Sequence, residues 1–310
     1  MITSASPRFV LCAAAILALG AGCVEPRAFP CTTNDACVLA GQRGLCEPAG
    51  YCSFDDDDCA SRRRYGELAP EGISDDCVPP SPSRYTDEVL SDAPVAYWPL
   101  DDTNGTMIDR SGNGHDGTYE GDPALGAPGA LSATGNVAVR FDGVDDAVAV
   151  EDAPALRLLG SFSIELWAMP TADLAMDEYR NMIGKGDDGG FEFYYYKWFD
   201  MLRPSLAHCC DPSAGLERAV DSDAVLSLDG FRHYVVTYDP PILTFYADGE
   251  ARISPDGDMV VYPEGLVPTG PITIARQRAG SFHAAIVLDE IALYDHALSA
   301  ERIAAHFAAR

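Results

Sequence analysis

Apolar and polar side chains alternate with a period of two through much of the C-terminal half of the chain. Phe231-Arg-His-Tyr-Val-Val-Thr-Tyr-Asp239, Leu243-Thr-Phe-Tyr-Ala-Asp-Gly249 and Leu288-Asp-Glu-Ile-Ala-Leu-Tyr-Asp295 all stop at Asp, Gly or Pro. This is the pattern of short strands with one face in a core, and no helix period fits it. Further runs predict strands over 95–100, 137–141, 147–150, 162–169, 191–198, 233–238, 242–247, 272–275 and 286–294. Thr86 is expected to cap a single helical turn ending at Ser91. Ser299-Ala-Glu-Arg-Ile-Ala-Ala-His-Phe307 reads as a capped amphipathic helix with Ile303 and Phe307 on one side. Many short strands and one terminal helix predict an all-β fold, a two-sheet antiparallel sandwich with a short C-terminal helix.

The segments ahead of the strands follow other rules. Arg8 precedes the apolar run Phe9–Leu19, and the small residues Gly20-Ala-Gly22 follow, which predicts a secretory signal peptide over 1–22. The segment Leu19-Gly-Ala-Gly-Cys23 resembles a bacterial lipobox, which implies cleavage before Cys23 and acylation of its thiol. Residues 23–30 are then a tether. Cys31, Cys37, Cys46, Cys52, Cys59 and Cys77 fall in a stretch poor in apolar residues, so 31–77 is expected to be a small segment held by disulfides. Spacing alone does not choose among the pairings. The stretch Gly44–Cys59 followed by Arg64-Tyr-Gly66 resembles Cys-rich modules near the N-termini of exported myxobacterial proteins. Residues 78–92 open with Val-Pro-Pro-Ser-Pro-Ser-Arg84 and read as a linker, leaving 93–310 for the sandwich.

Charge narrows the partners. Lys and Arg number 21 against 48 Asp and Glu, with Lys185 and Lys197 the two lysines. A field of that sign repels phosphate backbones and excludes nucleic acid as a partner. It suits cations, Ca²⁺ above all, and it also keeps an exported protein soluble. The acidic run Asp55–Asp58 lacks the alternating ligands of a calcium loop and reads as solvated.

Six motifs arrive in order along the sandwich segment. They are Ala96-Tyr-Trp-Pro-Leu-Asp-Asp102, Asp109-Arg-Ser-Gly-Asn-Gly-His-Asp-Gly117, Val139-Arg-Phe-Asp-Gly-Val-Asp-Asp146, Phe162-Ser-Ile-Glu-Leu-Trp-Ala-Met-Pro170, Phe245-Tyr-Ala-Asp-Gly249 and Leu288–Tyr294. Together they resemble a laminin-G-like domain of the concanavalin A type, over roughly 85–310. Phe231 stands where that family often has Trp, and 254–271 is a Pro-rich insert. The resemblance implies a jelly roll that binds glycans or proteins, commonly with Ca²⁺ near one rim. Oxygens from Asp109, Asn113 and Asp289 are the metal candidates, with Asp142, Asp145 and Asp146 a second set. The alternative is that Asp109 and Asn113 cap their own turn.

In Phe191-Glu-Phe-Tyr-Tyr-Tyr-Lys-Trp198, strand alternation puts Tyr194, Tyr196 and Trp198 on one face. Exposed, they form a stacking platform for sugar rings; covered, they are core. The vicinal pair Cys209-Cys210 is either structural or unpaired. Hydrolytic chemistry lacks its parts. Glycoside hydrolysis needs two carboxyls across a cleft, whereas Glu165 stands alone and Asp289-Glu290 are neighbours expected to point to opposite faces. The six histidines are scattered. The expected function is an exported, lipid-anchored, non-enzymatic protein of the cell envelope that binds a glycan or extracellular protein. The alternatives are an envelope structural protein without a small ligand and a relative of the glycoside hydrolases.

Overall fold

The structure, a computed structural model, describes residues 28–39, 41–47, 49–56, 58–59, 63–79, 82–132, 135–171, 179–185, 190–196, 201–206, 230–252, 267–277 and 283–310. Cys23 and Cys209-Cys210 lie outside them, as do residues 254–266 of the 254–271 insert. The chain forms two units, one from residues up to Asp55 with Arg64–Asp76, the other from Asp56–Arg63 with Cys77–Arg310.

The first unit has little apolar core and is built on cross-links. Strands β1 (Val38–Leu39) and β2 (Gln42–Arg43) form a hairpin. Strands β3 (Leu45–Cys46), β4 (Cys52–Asp55) and β5 (Arg63–Tyr65) form a small sheet, with β5 running into this unit from the other. Cys31–Cys46 and Cys37–Cys52 tie it together, while Cys59–Cys77 belongs to the second unit. The pairing that spacing left open is thus settled, and the segment 31–77 is divided between the two units.

The second unit opens with a ten-residue helix, α1 (Pro82–Ser91), where a linker and one turn were expected. Thr86 lies inside it rather than at its cap, and its hydroxyl meets that of Tyr97. Fifteen strands follow among the described residues: β6 (Ala96–Trp98), β7 (Thr106–Met107), β8 (Gly117–Glu120), β9 (Ala124–Pro128), β10 (Val137–Asp142), β11 (Ala147–Val150), β12 (Phe162–Pro170), β13 (Tyr179–Lys185), β14 (Phe191–Tyr196), β15 (Met201–Leu206), β16 (Arg232–Asp239), β17 (Ile242–Ala247), β18 (Glu250–Arg252), β19 (Ile272–Ile274) and β20 (Ala285–Tyr294). The helix α2 (Ala300–Ala308) closes the chain, with Ser299 accepting from the Arg302 N–H as its cap.

Two antiparallel sheets result. One runs β18-β17-β16-β12-β20-β10-β9, with β6 also on β20, and the other β15-β14-β13-β19-β11-β8-β7. Their facing sides share one core, in which Phe141, Leu166, Val236 and Phe245 of the larger sheet meet Val148, Ile183, Phe193 and Ile274 of the smaller. Phe193 lies edge-on to Tyr234 and Phe245, at centroid distances of 6.3 and 6.0 Å. This is the all-β sandwich expected from the alternation.

The larger sheet is also covered on its outer side. Tyr97, Trp167, Val235, Ala292 and Tyr294 point outward into a second apolar cluster with Tyr85 and Val89 of α1 and Ile303 of α2. Both helices therefore pack on the sheet, and every residue of β20 is buried. β20 also carries a bulge. Trp167 pairs with Asp289 and Glu165 with Ala292, so Glu290 and Ile291 together oppose Leu166, and Glu290 takes φ 53°.

The small unit gives the first test. Removing a native bridge from a small domain costs about 2–5 kcal/mol. A Cys37→Ser/Cys52→Ser variant is expected to lose the first unit's transition in calorimetry while the sandwich transition stays in place.

Candidate functional site

Glu165 sits mid-strand in β12, where its neighbours Ile164 and Leu166 face the sandwich core and it faces the helices. It is fully buried. Its oxygens accept from Tyr85 Oη (2.8 Å), Tyr294 Oη (2.8 Å), His233 Nε2 (2.7 Å) and His306 Nδ1 (2.9 Å). His306 Nε2 donates to Asp92 Oδ2 at 2.8 Å, so both ring nitrogens face carboxylates and the imidazole is doubly protonated. Arg302 adds bonds to Asp92 and Glu88, tying α2 to α1.

The electrostatics follow from this enclosure. Burial would raise the Glu165 carboxyl, but the His306 charge and the hydrogen bonds from His233 and His306 hold it well below the carboxylate range. Burial would lower His306, but Glu165 and Asp92 lift it to about 9. Beside this cluster, burial pushes Asp289 and Glu290 well above ordinary values, with the Asp289 charge adding to the effect on Glu290.

Two expectations are corrected here. The histidines are scattered in sequence, yet His233 and His306 converge on one carboxylate. The β20 bulge places Asp289 and Glu290 on the same helix-covered side, not on opposite faces: Asp289 accepts from Ala130 N and Glu290 bonds the Tyr97 hydroxyl. Glu165, Asp289 and Glu290 are all sealed from solvent. Two signals for this enclosure stand in the sequence. One is an outward Glu beside an outward Trp on a strand; the other is a terminal helix with His306 next to its apolar positions.

The calcium candidates hold separate tasks. Asp109 Oδ1 accepts from Tyr97 N and Ser111 N and Oδ2 from His115 N, all at 2.8–3.0 Å. Burial would raise it, but these donors and the Ser111 hydroxyl lower it. Asn113 Nδ2 donates to the carbonyls of Pro94 and Val95. Asp109 thus caps its own turn, as the alternative expected, whereas Asn113 ties that turn to the Pro94-Val95 segment. Asp289 is bound elsewhere, with no hydrogen-bond partner in common with Asp109. Ca²⁺ needs about six to eight oxygens at ~2.3–2.6 Å, and this trio does not fit that requirement. Asp142, Asp145 and Asp146 do gather within 4.8 Å, but Asp146 accepts from Asp122 N and Asp142 N and so staples its own turn.

The aromatic platform is also corrected in part. Tyr194 is buried, so it offers no stacking surface. The side chains of Tyr196 and Trp198 lie outside the described residues. What the smaller sheet presents outward is a different set. Cross-strand partners run Thr106–Thr118–Ala149–Thr273–Gly184–Glu192 across six strands, alternating with the core-facing row Val148–Ile274–Ile183–Phe193. Thr106 and Thr118 are exposed, Ala149 and Glu192 half-buried, and Thr273 buried. The Thr273 hydroxyl and the Asn181 Oδ1, on neighbouring strands, are buried without a partner.

A family model described as the Concanavalin A-like lectin/glucanases superfamily, of the laminin G type, matches residues 142–304. The chain belongs to this superfamily. Similar solved structures agree in fold. The binding domain of Paraclostridial Mosquitocidal Protein 1 is 17% identical with TM-score 0.54, over 70% of this chain and 52% of that one. A structure of botulinum neurotoxin type C, whose cell entry depends on interaction with two ganglioside molecules, is 14% identical with TM-score 0.54, over 72% and 52%. Trypanosoma rangeli sialidase in complex with sialic acid is 13% identical with TM-score 0.52, over 73% and 37%. This superfamily member therefore spans about a third to a half of those chains. No curated protein matches it in sequence.

The buried cluster predicts a bounded pH range. His306 is raised above its unfolded value near 6.5, so its contribution is full below that pH and is lost as pH rises through about 9. Glu165 and Asp92 are lowered, so theirs is present above the unfolded carboxylate range and is lost as pH falls through their folded values. Melting of the full chain is expected to show an alkaline limb near pH 9 that His306→Gln abolishes. Glu165→Ala, which strands a buried imidazolium, is expected to cost about 3–5 kcal/mol at neutral pH in denaturant titration.

Proposed function

We propose that this chain is an exported, non-enzymatic binding protein that takes a neutral glycan on the outer face of its smaller sheet. One observation carries the reading. The outer face of the larger sheet is closed by α1 and α2, with Glu165, Asp289 and Glu290 beneath them, whereas the smaller sheet turns outward a row of small and polar residues. The accessible part of this row is Thr106 and Thr118 with half-buried Ala149, whose small and polar side chains leave the sheet surface open at that end.

Carboxyls that never meet water cannot protonate a leaving group or activate a nucleophile there, which disfavours a glycoside hydrolase. The ganglioside- and sialic-acid-binding neighbours support glycan binding as a class, while the net charge of −27 argues against anionic sugars. Three disulfides suit the oxidising compartments that exported proteins occupy. Among the described residues no helix is long and apolar enough to cross a membrane. The lipobox resemblance extends the reading to an acylated Cys23 as the anchor.

The test is a glycan-array screen of the full chain followed by calorimetric titration of the neutral oligosaccharides retained. Thr118→Trp, at an exposed position, is expected to weaken binding on the order of tenfold or more without changing the melting temperature. Retention of no neutral glycan at millimolar concentration, or binding untouched by Thr118→Trp, overturns the proposal and favours a protein ligand or a structural role.

A further inference from the structure

The first unit carries a feature that glycan binding does not use. Phe29, Val38, Leu39 and Leu68 are large apolar residues exposed by 58%, 58%, 37% and 45%. They line one groove of about 170 Å³ together with Phe54. In the sandwich unit the exposed large apolar residues Leu90, Val144, Leu159, Ile242 and Val267 are instead spread through the chain. Scattered residues need no partner, whereas a contiguous patch on so small a unit marks a contact surface.

The groove is held open by the backbone. The Phe54 ring lies between Gly44 and Gly66, and a Cβ at either would come within 2.8 Å of it. Phe29 N–H donates to the Leu68 carbonyl at 2.8 Å, joining two of the walls. Cys37–Cys52 fixes β4, which bears Phe54, to the residue preceding β1.

Charge selects the occupant. The described part of this unit holds seven carboxylates (Asp35, Glu47, Asp55, Glu67, Glu71, Asp75 and Asp76) against Arg43 and Arg64. Glu67 stands at the groove itself. A second copy would bring another net charge of −27 to the contact. A bilayer takes up protruding apolar side chains, whereas a concave site receives them. We propose that this groove docks a peptide segment of a partner protein, one that presents large apolar side chains flanked by lysine or arginine. The apolar chains fill the groove over Phe54, and the flanking cations meet Glu67 and the field of the unit's excess carboxylates, which gives orientation and on-rate.

The test is fluorescence anisotropy of the full chain with a labelled eight-residue peptide alternating Leu and Lys. Peptides alternating Leu with Glu, or Ser with Lys, serve as controls. The Leu–Lys peptide is expected to bind, and both controls to bind at least roughly tenfold more weakly. Val38→Asp decides the mechanism, because it removes apolar surface while adding negative charge at an exposed position. The proposal requires it to weaken Leu–Lys binding by roughly tenfold or more; attraction by charge alone requires it to tighten binding. Tighter or unchanged binding in Val38→Asp, or equal binding of the Ser–Lys peptide, overturns the proposal. So does self-association in sedimentation, or flotation with phosphatidylcholine vesicles, if Val38→Asp abolishes it.

Discussion

A carboxylate sealed from water needs donors on every side, and Glu165 meets that demand with groups from four separate elements. Tyr85 comes from α1, His233 from β16, Tyr294 from β20 and His306 from α2. An ionised group in a low-dielectric interior is tolerated only with charge and hydrogen bonds to match it. The positions of both helices are therefore coupled to one side chain on the middle of the larger sheet. Asp92 extends the coupling, because it holds the second nitrogen of His306 and is itself held by Arg302. Apolar packing of Val89, Trp167 and Ile303 supplies the area, and the polar network specifies the placement.

That placement determines which surface is available for recognition. A sandwich of this superfamily has two outer faces and a rim. Here one face is spent on helix packing, and its carboxyls, which would be the natural acid–base candidates, are held away from solvent. The smaller sheet differs in chemistry as well as in cover. Its outward row is built from threonine, alanine and glycine, with buried acceptors and donors left unpaired beside it. Under the proposed function, a ligand on this face is held by shape and hydrogen bonding, in a field that favours neutral or cationic partners. The small cross-linked unit adds a surface of another kind, an apolar groove with Glu67 at it.

The strands were legible because alternation is a local property. Phe162, Ile164 and Leu166 point one way, and that alone predicts β12 and its inner face. β7, β8, β9, β13, β15 and β18 were missed: Thr106-Met107 and Glu250–Arg252 are too short to show a period, and Gly117, Gly126, Gly184 and Pro204 weaken the strand pattern of the others. α1 was hidden by Pro80 and Pro82, which read as a linker, although Pro is well tolerated in the first turn of a helix. The site was less legible than the fold. Tyr194 shares an alternating face with Tyr196 in the chain, but burial is a property of what lies over a face, and no local pattern reports that. Asp109 looked like a metal ligand because its loop is rich in oxygen, and in the fold those oxygens are taken by main-chain N–H groups.

By itself, the sequence determined the fold class, the terminal helix, the cysteine-rich start and the family, because periodicity, composition and ordered motifs are carried by neighbours along the chain. Tertiary structure alone decided the disulfide pairing, the enclosure of Glu165 and the side on which Asp289 and Glu290 lie. Each of these depends on contacts between residues far apart in sequence. The bulge at Glu290 illustrates the difference. One extra residue in β20 reverses the face of everything beyond it, and the register that requires it is set by pairing with β12 rather than by β20 itself.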